Sequence, residues 1–289
     1  MFSYQEFTTR NLGFVNAAEQ SRLRASTVFI PGVGGMGGMA LACLARSGVG
    51  NFIIADYDTF EVSNLNRQIF SDVNVLGQSK VLVAKEKILQ INPEIKVEVY
   101  DRDWVDQLDK VLKVASVVIN GCDDSLSTVR LLRKAKEHNK TVIDAFAASI
   151  PSVYVVRPQD PRPEEFMKFP TKKLSSSELT PELARICAHQ ETIYVLTHSS
   201  TVRHIKMEFA QEMISGKRKR ISMAPMVWAT GILMSYEAIK VLLHQESPIS
   251  YKGVFLNPYD LKWEKPLGFL RAWIKENFIR WWLQRLIKG

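Results

Sequence analysis

The stretch VFIPGVGGMG, residues 28–37, decides the fold, because it joins a short apolar run to a glycine-rich loop. The apolar residues Val28–Ile30 predict a buried parallel strand, and residues 39–46, rich in Ala and Leu, predict the helix that follows. The glycines therefore lie at a strand-to-helix turn. At such a turn the backbone can approach a ligand closely, and the unpaired N–H groups at the positive end of the helix suit a phosphate.

The spacing of the glycines and of the next acidic residue indicates a nucleotide. Gly32, Gly34 and Gly37 match the dinucleotide fingerprint. The second apolar run, residues 51–55, ends in Asp56, at the distance where an acid normally holds a ribose hydroxyl. A glycine loop and a ribose acid would by themselves favour NAD or FAD over ATP, and thus an NAD-dependent oxidoreductase.

Polar and charged residues beyond Asp56 change that balance towards ATP. Asn64, Arg67, Gln68 and Lys80 form a compact group that a dinucleotide enzyme does not need. A triphosphate, in contrast, requires cations near its negative charges. Arg67 can grip phosphate oxygens in a planar fork, and Lys80 can act as a mobile point charge. The oxidoreductase interpretation would leave both cations without a role.

Three motifs in this region resemble those of the ThiF/MoeB/HesA superfamily of ATP-dependent adenylyltransferases, which are relatives of the ubiquitin-activating enzymes. The motifs are DYDTFEVSNLNRQ at 56–68, GQSK at 77–80 and INP at 91–93. The resemblance extends from about Arg10 to Ala147 and is faint beyond that. It implies that a substrate carboxylate attacks the α-phosphorus of MgATP, giving an acyl-adenylate and pyrophosphate.

The resemblance also implies roles for single residues. Asn64, Arg67 and Lys80 would hold the triphosphate, Gln68 would support them, and Arg10 would reach into the nucleotide site of the partner subunit of a homodimer. The loop amides of two glycines would lie near the phosphates, and the acid after the second strand would bind the ribose. The site residues expected on these grounds are Gly32, Gly34, Gly35, Gly37, Asp56, Asn64, Arg67, Gln68, Lys80, Asp123 and Arg10.

An acidic pair follows a later apolar run, residues 116–120, and so lies at the carboxyl end of a predicted parallel strand, where ligands bind in open α/β sheets. The resemblance assigns Asp123 to the Mg²⁺ ion on the triphosphate. Asp124 stands where the family commonly has an asparagine, and we expect it to cap the helix predicted over 125–138. The alternative for Asp123 is also helix capping.

The pattern as a whole predicts an α/β fold with a doubly wound, mostly parallel Rossmann-like sheet, a long crossover excursion and a C-terminal helical tail. We expect a helical N-terminal segment at 1–26, an adenylyltransferase domain at 27–265 and a basic, Trp-rich helix at 266–289. The excursion covers about 157–190. Four prolines and a serine run between 159 and 184 predict a long loop that is partly ordered at best.

Three isolated cysteines offer neither a disulfide framework nor a Cys-x-x-Cys metal site. We therefore expect no structural zinc, and we expect the protein to reside in a reducing cytoplasm. Some relatives pass the acyl group to a cysteine of this region, which makes Cys187 a candidate nucleophile beside Arg185 and His189. The commoner alternative is a buried, unreactive thiol.

The net charge of +8 is concentrated in two places. Residues 217–220 are all basic, and residues 262–289 contain seven Lys or Arg against two Glu, giving +5. Such charge favours an acidic partner such as tRNA, an anionic membrane or an acidic protein tail, and the alternative is a solvated surface. The N-terminus lacks a signal-peptide pattern, so we expect a cytoplasmic protein, with peripheral attachment to the inner face of the membrane as a further expectation.

The tail, residues 266–289, is the segment to which the expectation of a membrane contact applies. On a helical wheel its apolar residues Leu270, Trp273, Ile274, Phe278 and Trp281 share one face. Tryptophan together with basic residues suits a membrane interface or a partner, and the alternative is packing within the protein or its dimer.

Several substrates fit the implied reaction. They are the C-terminus of a ubiquitin-like or sulfur-carrier protein, the C-terminus of a peptide, and a nucleoside carboxylate on tRNA, as in the family's threonylcarbamoyladenosine dehydratases. Interpretations from other classes are an NAD-dependent oxidoreductase and a non-catalytic, nucleotide-sensing or membrane scaffold.

Overall fold

The computed structural model of the chain describes residues 1–214, 217, 218 and 220–288. Lys219 of the basic cluster and Gly289 of the predicted C-terminal helix lie outside the described residues.

Eight strands of the described residues form one sheet in the order β3-β2-β1-β4-β5-β6-β7-β8. Strands β1 to β5 pair in parallel, and β6, β7 and β8 extend the sheet antiparallel. The strands are β1 Thr27–Pro31, β2 Asn51–Ala55, β3 Lys96–Tyr100, β4 Val117–Ile119, β5 Val142–Asp144, β6 Ser152–Val156, β7 Val254–Asn257 and β8 Lys262–Glu264. The predicted doubly wound, mostly parallel sheet is therefore confirmed.

Helices cover both faces of this sheet. They are α1 Tyr4–Thr8, α2 Ala17–Ala25, α3 Gly35–Arg46, α4 Lys80–Ile91, α5 Leu108–Val114, α6 Ser125–Glu137, α7 Pro163–Phe166, α8 Pro181–His198, α9 Met207–Ile214, α10 Ala224–Leu242 and α11 Phe269–Lys288. One core contains side chains of α3, α4 and α10, and the other contains side chains of α5, α6 and α8. None of the described helices is both long enough and apolar enough to cross a lipid bilayer.

The central strand β1 shows why the sheet needs both helical layers. Val28 and Ile30 point into the core beneath α3 and α10, whereas Phe29 points to the other core, where its ring lies 6.0 Å from that of Trp104. All three side chains are fully buried. A strand that is buried on both faces has to be apolar at every position, which explains the continuous apolar run in the sequence.

The crossover excursion is more ordered than the sequence predicts. Residues 159–184 contain α7, two short 3-10 turns and the first residues of α8, an 18-residue helix that sequence analysis missed. Two of the prolines, Pro163 and Pro181, stand at the first position of a helix, where no N–H group is needed. They therefore start helices instead of preventing them.

The C-terminal helix α11 packs on α8 through a small apolar cluster. Ile279 and Leu283 are 5% and 1% exposed and contact Ile193 and Leu196 of α8. The predicted tail helix is therefore confirmed. The apolar residues that were predicted to share a face do so, but on the side that faces away from the protein.

Two loops meet where the winding of the sheet reverses, between β1 and β4. The backbone of Gly121, after β4, lies directly against Gly32, after β1, and Gly37 of α3 fits beside both. Gly32 has a φ of 84°, in the region that favours glycine. This contact leaves no space for a side chain.

We expect Gly121→Ala to destabilise the protein. Its added methyl group would collide with the carbonyl oxygen of Gly32 and lie 3.0 Å from the Cα of Gly37, both of them backbone atoms. Overpacking of this kind costs about 1–3 kcal/mol of unfolding free energy, measurable by urea denaturation. The matched control is Gly268→Ala, because a methyl group there meets nothing within 4 Å. Equal stability of the two variants would contradict the close approach.

Candidate functional site

A pocket lies beyond the carboxyl ends of β1, β2 and β4, at the point where the winding of the sheet reverses. Ligands of open α/β sheets bind at such a point. Most of the predicted site residues line it, namely Gly32, Gly34, Gly35, Asp56, Arg67, Gln68, Lys80 and Asp123. They come from five separate segments of the chain.

Asp56 ties the glycine loop to the end of β2. Its Oδ2 accepts a hydrogen bond of 3.0 Å from the N–H of Val33, and its Oδ1 accepts one of 3.0 Å from the N–H of Asp58. Burial raises the pKa of Asp56, and these backbone donors together with Lys80 act in the opposite direction. The predicted ribose acid is thus held in place before any ligand binds.

Lys80 begins α4 and points its amine into the pocket. Its Nζ lies 2.8 Å from Oδ2 of Asp58. The lysine side chain is only 8% exposed, whereas that of Asp58 is 53% exposed. The only carboxylate that pairs with this amine among the described residues is therefore well solvated, and a phosphate can replace it. Asp58 was not among the predicted site residues.

Arg67 and Gln68 sit on the turn opposite Lys80. The guanidinium of Arg67 donates to the carbonyl oxygen of Ser63 at 2.8 Å and to Asn66 at 2.9 Å, and no carboxylate of the described residues pairs with it. Gln68 is buried, and its Oε1 has no hydrogen-bond partner within the described part of the chain. An unpaired buried acceptor is costly, so its presence at a pocket wall indicates a ligand that donates a hydrogen bond.

Three predicted site residues do not line this pocket. Asn64 is buried behind it, where its Oδ1 accepts a hydrogen bond from the N–H of Glu61. Gly37 stands behind Gly32. Arg10 is exposed on the 3-10 turn Thr9–Asn11, outside the pocket of its own subunit. Their assigned roles stay predictions.

The predicted helix cap by Asp124 is confirmed, and the predicted metal role of Asp123 stays a prediction. The carboxylate of Asp124 caps α6 by accepting from the N–H groups of Leu126 and Ser127 at 3.4 and 2.8 Å. Asp123 is exposed at the pocket wall. Within the described ranges no three His, Cys, Asp or Glu side chains come together as a metal site. Magnesium usually takes one or two carboxylates and completes its shell with water and phosphate, so Asp123 fits an ion that arrives with a nucleotide.

A second, larger cavity of about 930 Å³ adjoins the pocket, and we call it the chamber. Met36, Cys122, Asp123 and Arg220 line both spaces. The carboxyl ends of β4 and β5 form its floor, and α8 and α11 form its sides. Much of its wall is apolar, with contributions from Met167, Phe169, Val195, Leu196, Trp282 and Leu283.

Two acids whose pKa values are raised line the chamber. Glu191 of α8 accepts a hydrogen bond of 2.7 Å from the N–H of Ala147, and burial raises its pKa. Asp144, at the end of β5, accepts hydrogen bonds from Tyr154 at 2.6 Å and Asn120 at 2.9 Å. Burial raises the pKa of Asp144 to about 7. The chamber floor therefore carries less negative charge than its sequence suggests.

Cys187, the candidate nucleophile, is fully buried on α8 and lines neither space. Burial, together with the nearby carboxylates of Glu164 and Glu191, raises the pKa of its thiol to about 11. A nucleophilic cysteine needs the opposite shift and access to its substrate. These surroundings favour the structural role.

Sequence reasoning missed the side of the pocket that α10 and the segment before it supply. Ser222, Met226 and Val227 line the pocket, and the indole Nε1 of Trp228 donates to the carbonyl oxygen of Arg67 at 2.8 Å. These residues lie about 160 positions beyond Arg67 and form no motif with it. The basic cluster 217–220 was the one available signal, because it ends in Arg220.

Comparison with known proteins gives a family match over most of the chain. A model of the ThiF family matches residues 8–268. A probable molybdopterin-synthase adenylyltransferase of Porphyra purpurea is 35% identical over 144 residues, which cover 48% of this chain and 38% of that protein. Ubiquitin-like modifier-activating enzyme 5 of Caenorhabditis elegans is 39% identical over 92 residues, 32% of this chain and 21% of the relative.

A third relative is the tRNA threonylcarbamoyladenosine dehydratase of Bacillus subtilis (strain 168). It is 37% identical over 105 residues, 33% of this chain and 41% of that protein. The chain thus spans less than half of the length of each of these curated relatives.

Solved structures with the same fold include PaaA and Escherichia coli MccB. The selenomethionine structure of PaaA matches with a TM-score of 0.64 and 21% identity, over 93% of this chain and 86% of that one. The structure of MccB with ATP matches with a TM-score of 0.63 and 20% identity, over 92% of this chain and 69% of that one. At these identities the likeness establishes the fold.

The buried carboxyl of Asp144 makes stability depend on pH. Its pKa is about 7 in the folded state against an ordinary value of 3.8, so the native state alone binds this proton between those pH values. The free energy of unfolding should therefore fall as pH rises from about 4 to about 7, by up to about 1.4 kcal/mol per pH unit from this group. We expect urea unfolding of Asp144→Asn across that range to lose this slope.

The exposed Asp106 supplies the control, since Asp106→Asn should keep the wild-type slope. An unchanged pH dependence in Asp144→Asn would show that Asp144 does not carry the proton.

Proposed function

This chain belongs to the ThiF family, and we propose from that premise that it is an ATP-dependent adenylyltransferase. It would convert a substrate carboxylate into an acyl-adenylate and release pyrophosphate. The observation that carries the proposal is the pairing of two adjoining spaces. One is lined by a glycine loop, several cationic side chains and several acids, and the other is large enough for the end of a substrate.

The nucleotide fits the first space by charge and by hydrogen bonding. The N–H groups of Gly34 and Gly35 would face the phosphates at the positive end of α3. Lys80 would exchange its pairing with Asp58 for a phosphate oxygen, and Arg67 would turn its guanidinium from two neutral acceptors to the triphosphate. Asp56 would hold the ribose. An oxidoreductase using NAD would leave these two cations without partners.

Magnesium would accompany the nucleotide. Asp123 is the residue that would hold it, with the phosphates and water supplying the other ligands. When bound, the ion neutralises phosphate charge and thereby favours departure of pyrophosphate.

The substrate carboxylate would enter from the chamber. One of its oxygens would form a bond to the α-phosphorus, and the bond from that phosphorus to the leaving pyrophosphate would break. A carboxylate is ionised at neutral pH, so the reaction needs no general base. The contribution of the chain would be placement and charge compensation. Arg220 lines both spaces and is therefore suited to steer the carboxylate towards the nucleotide.

The relatives and the chamber support our proposal for the substrate class. By name, two relatives act in molybdopterin synthesis and on ubiquitin-like modifiers, and MccB has been crystallised with MccA. We propose the C-terminus of a ubiquitin-like or sulfur-carrier protein, or of a peptide, because an extended chain end fits a chamber of about 930 Å³. The alternative is a nucleoside carboxylate on tRNA, which the net charge of +8 and the Bacillus relative favour.

A homodimer in the cytoplasm would be the working unit. Arg10 is exposed and does not line the pocket of its own subunit, which leaves its guanidinium available to a partner. Close to it, Leu12 and Phe14 are 52% and 92% exposed. An interface with a second copy would bury both.

Thermal unfolding with MgATP, and separately with NAD, tests the nucleotide. MgATP should stabilise the wild-type chain, by about 2.7 kcal/mol at a hundredfold excess over Kd. Lys80→Ala should lose most of that gain, because its amine is the buried cation of the pocket. Lys87→Ala is the matched control. This lysine lies on the same helix, but its side chain is 37% exposed and pairs with Asp72. Stabilisation by NAD alone would replace our proposal with the oxidoreductase.

Pyrophosphate release from ATP tests the substrate. A carrier protein, a peptide with a free C-terminus and a tRNA would each be added, and we expect the first or second to stimulate release. Arg220→Ala should lower the stimulated rate by roughly 10–100-fold, as loss of a positioning contact does. Arg218→Ala should not, because Arg218 pairs with Glu212 outside both spaces. Stimulation by tRNA alone would establish the alternative, and equal rates in both variants would remove Arg220 from the site.

A further inference from the structure

Helix α11 has two faces of opposite character. The inner face is buried against α8 through Ile279 and Leu283. The outer face exposes large apolar side chains, namely Phe269 (86% exposed), Leu270 (66%), Trp273 (58%), Ile274 (57%), Phe278 (57%) and Trp281 (48%). The helix is therefore anchored to the protein and at the same time presents an apolar surface to its surroundings.

These exposed side chains form one strip. Each of Leu270, Trp273, Ile274, Phe278 and Trp281 lies three or four residues from another member of the set, which places them along one side of a helix. The strip is about 17 Å long at 1.5 Å per residue. Single exposed apolar residues are ordinary on a protein surface, but a contiguous row of this size marks a surface that binds something.

The charges around the strip have one sign. Arg271 and Arg285 pair with no acid of the described chain, and the guanidinium of Arg285 lies 4.3 Å from the ring centre of Trp281. The acid of this helix, Glu276, is turned to the other side and bonds to Arg280 and Lys168. Residues 262–289 carry a net charge of +5. The outer face is therefore apolar at its centre and cationic at its border.

We propose that the outer face of α11 binds the surface of an anionic lipid bilayer, with the helix lying in the plane of the interface. Tryptophan and phenylalanine would enter the boundary between headgroups and acyl chains, where amphipathic rings are favoured. The arginines would contact anionic headgroups, which attract basic residues by about 1 kcal/mol each. This attachment goes beyond adenylation and does not depend on it.

Charge complementarity favours lipid over a second copy of the chain. A symmetric contact of α11 with its own copy would bring two segments of charge +5 together across an apolar strip that contains no compensating acid. Anionic headgroups neutralise the same charge. An anionic lipid surface therefore covers the apolar strip and neutralises the positive charge, whereas self-association covers only the apolar strip.

Flotation of the full chain with vesicles tests the attachment. The chain should float with vesicles of phosphatidylcholine mixed with phosphatidylglycerol, less with phosphatidylcholine alone, and less again at high salt. The double variant Trp273→Glu, Phe278→Glu should lower partitioning by at least about tenfold, because it puts two carboxylates into the apolar strip. Trp273→Ser with Phe278→Ser should give a smaller loss in the same direction, which separates the apolar contribution from added charge.

Tyr236→Glu is the matched control, since Tyr236 is 61% exposed on α10, on the opposite side of the sheet. It should float like the wild type, and melting curves should show all variants folded. Absence of flotation with anionic vesicles would overturn the proposal. The proposal would also be overturned if the wild type were a dimer that does not float and the double variant were a monomer. The outer face of α11 would then bind a second copy of the chain.

Discussion

The close approach of two backbone loops is the constraint on which the site depends. Gly32 and Gly121 touch at the reversal point of the sheet, and no side chain fits between them. Because these loops meet, the N-terminus of α3, which faces the phosphates in our proposal, and the acid Asp123 share one crevice. Asp56 strengthens the arrangement by holding the loop from the other side. The site is thus a consequence of how β1, β2 and β4 are joined and not of any single motif.

Within this frame the polar groups of the pocket are held by weak partners. Lys80 is paired with an exposed aspartate, Arg67 bonds to neutral acceptors, and Gln68 has a buried oxygen without a partner. Pairing a buried cation with a solvated carboxylate avoids the cost of an uncompensated charge, yet it leaves the cation available. A pocket with strong internal pairs would have to break them for each ligand. This pocket exchanges weak contacts for strong ones, which favours a highly charged nucleotide.

The sequence predicts the first half of the chain better than the second, for physical reasons. Buried parallel strands such as β2 are continuous apolar runs, and glycines mark the turns after β1 and β4, so local sequence suffices there. Helix α8 was missed because proline was interpreted as a loop signal when it begins the helix. The contribution of Trp228 could not be predicted, since it depends on packing between segments about 160 residues apart. Likewise, α11 has apolar residues on both sides, and only the packing on α8 decides which side is buried.

Helix α11 joins two surfaces that local sequence treats as separate. Its inner residues Trp282 and Leu283 line the chamber, while its outer face is the apolar strip. The cluster that holds it contains few side chains, assisted by Arg280 bonding to Gln190 and by Lys275 bonding to the carbonyl oxygen of Ser199. The position of this helix on the protein therefore depends chiefly on its contact with α8. A ligand that binds the outer face and prefers one position of α11 therefore also selects the shape of the chamber, in proportion to that preference.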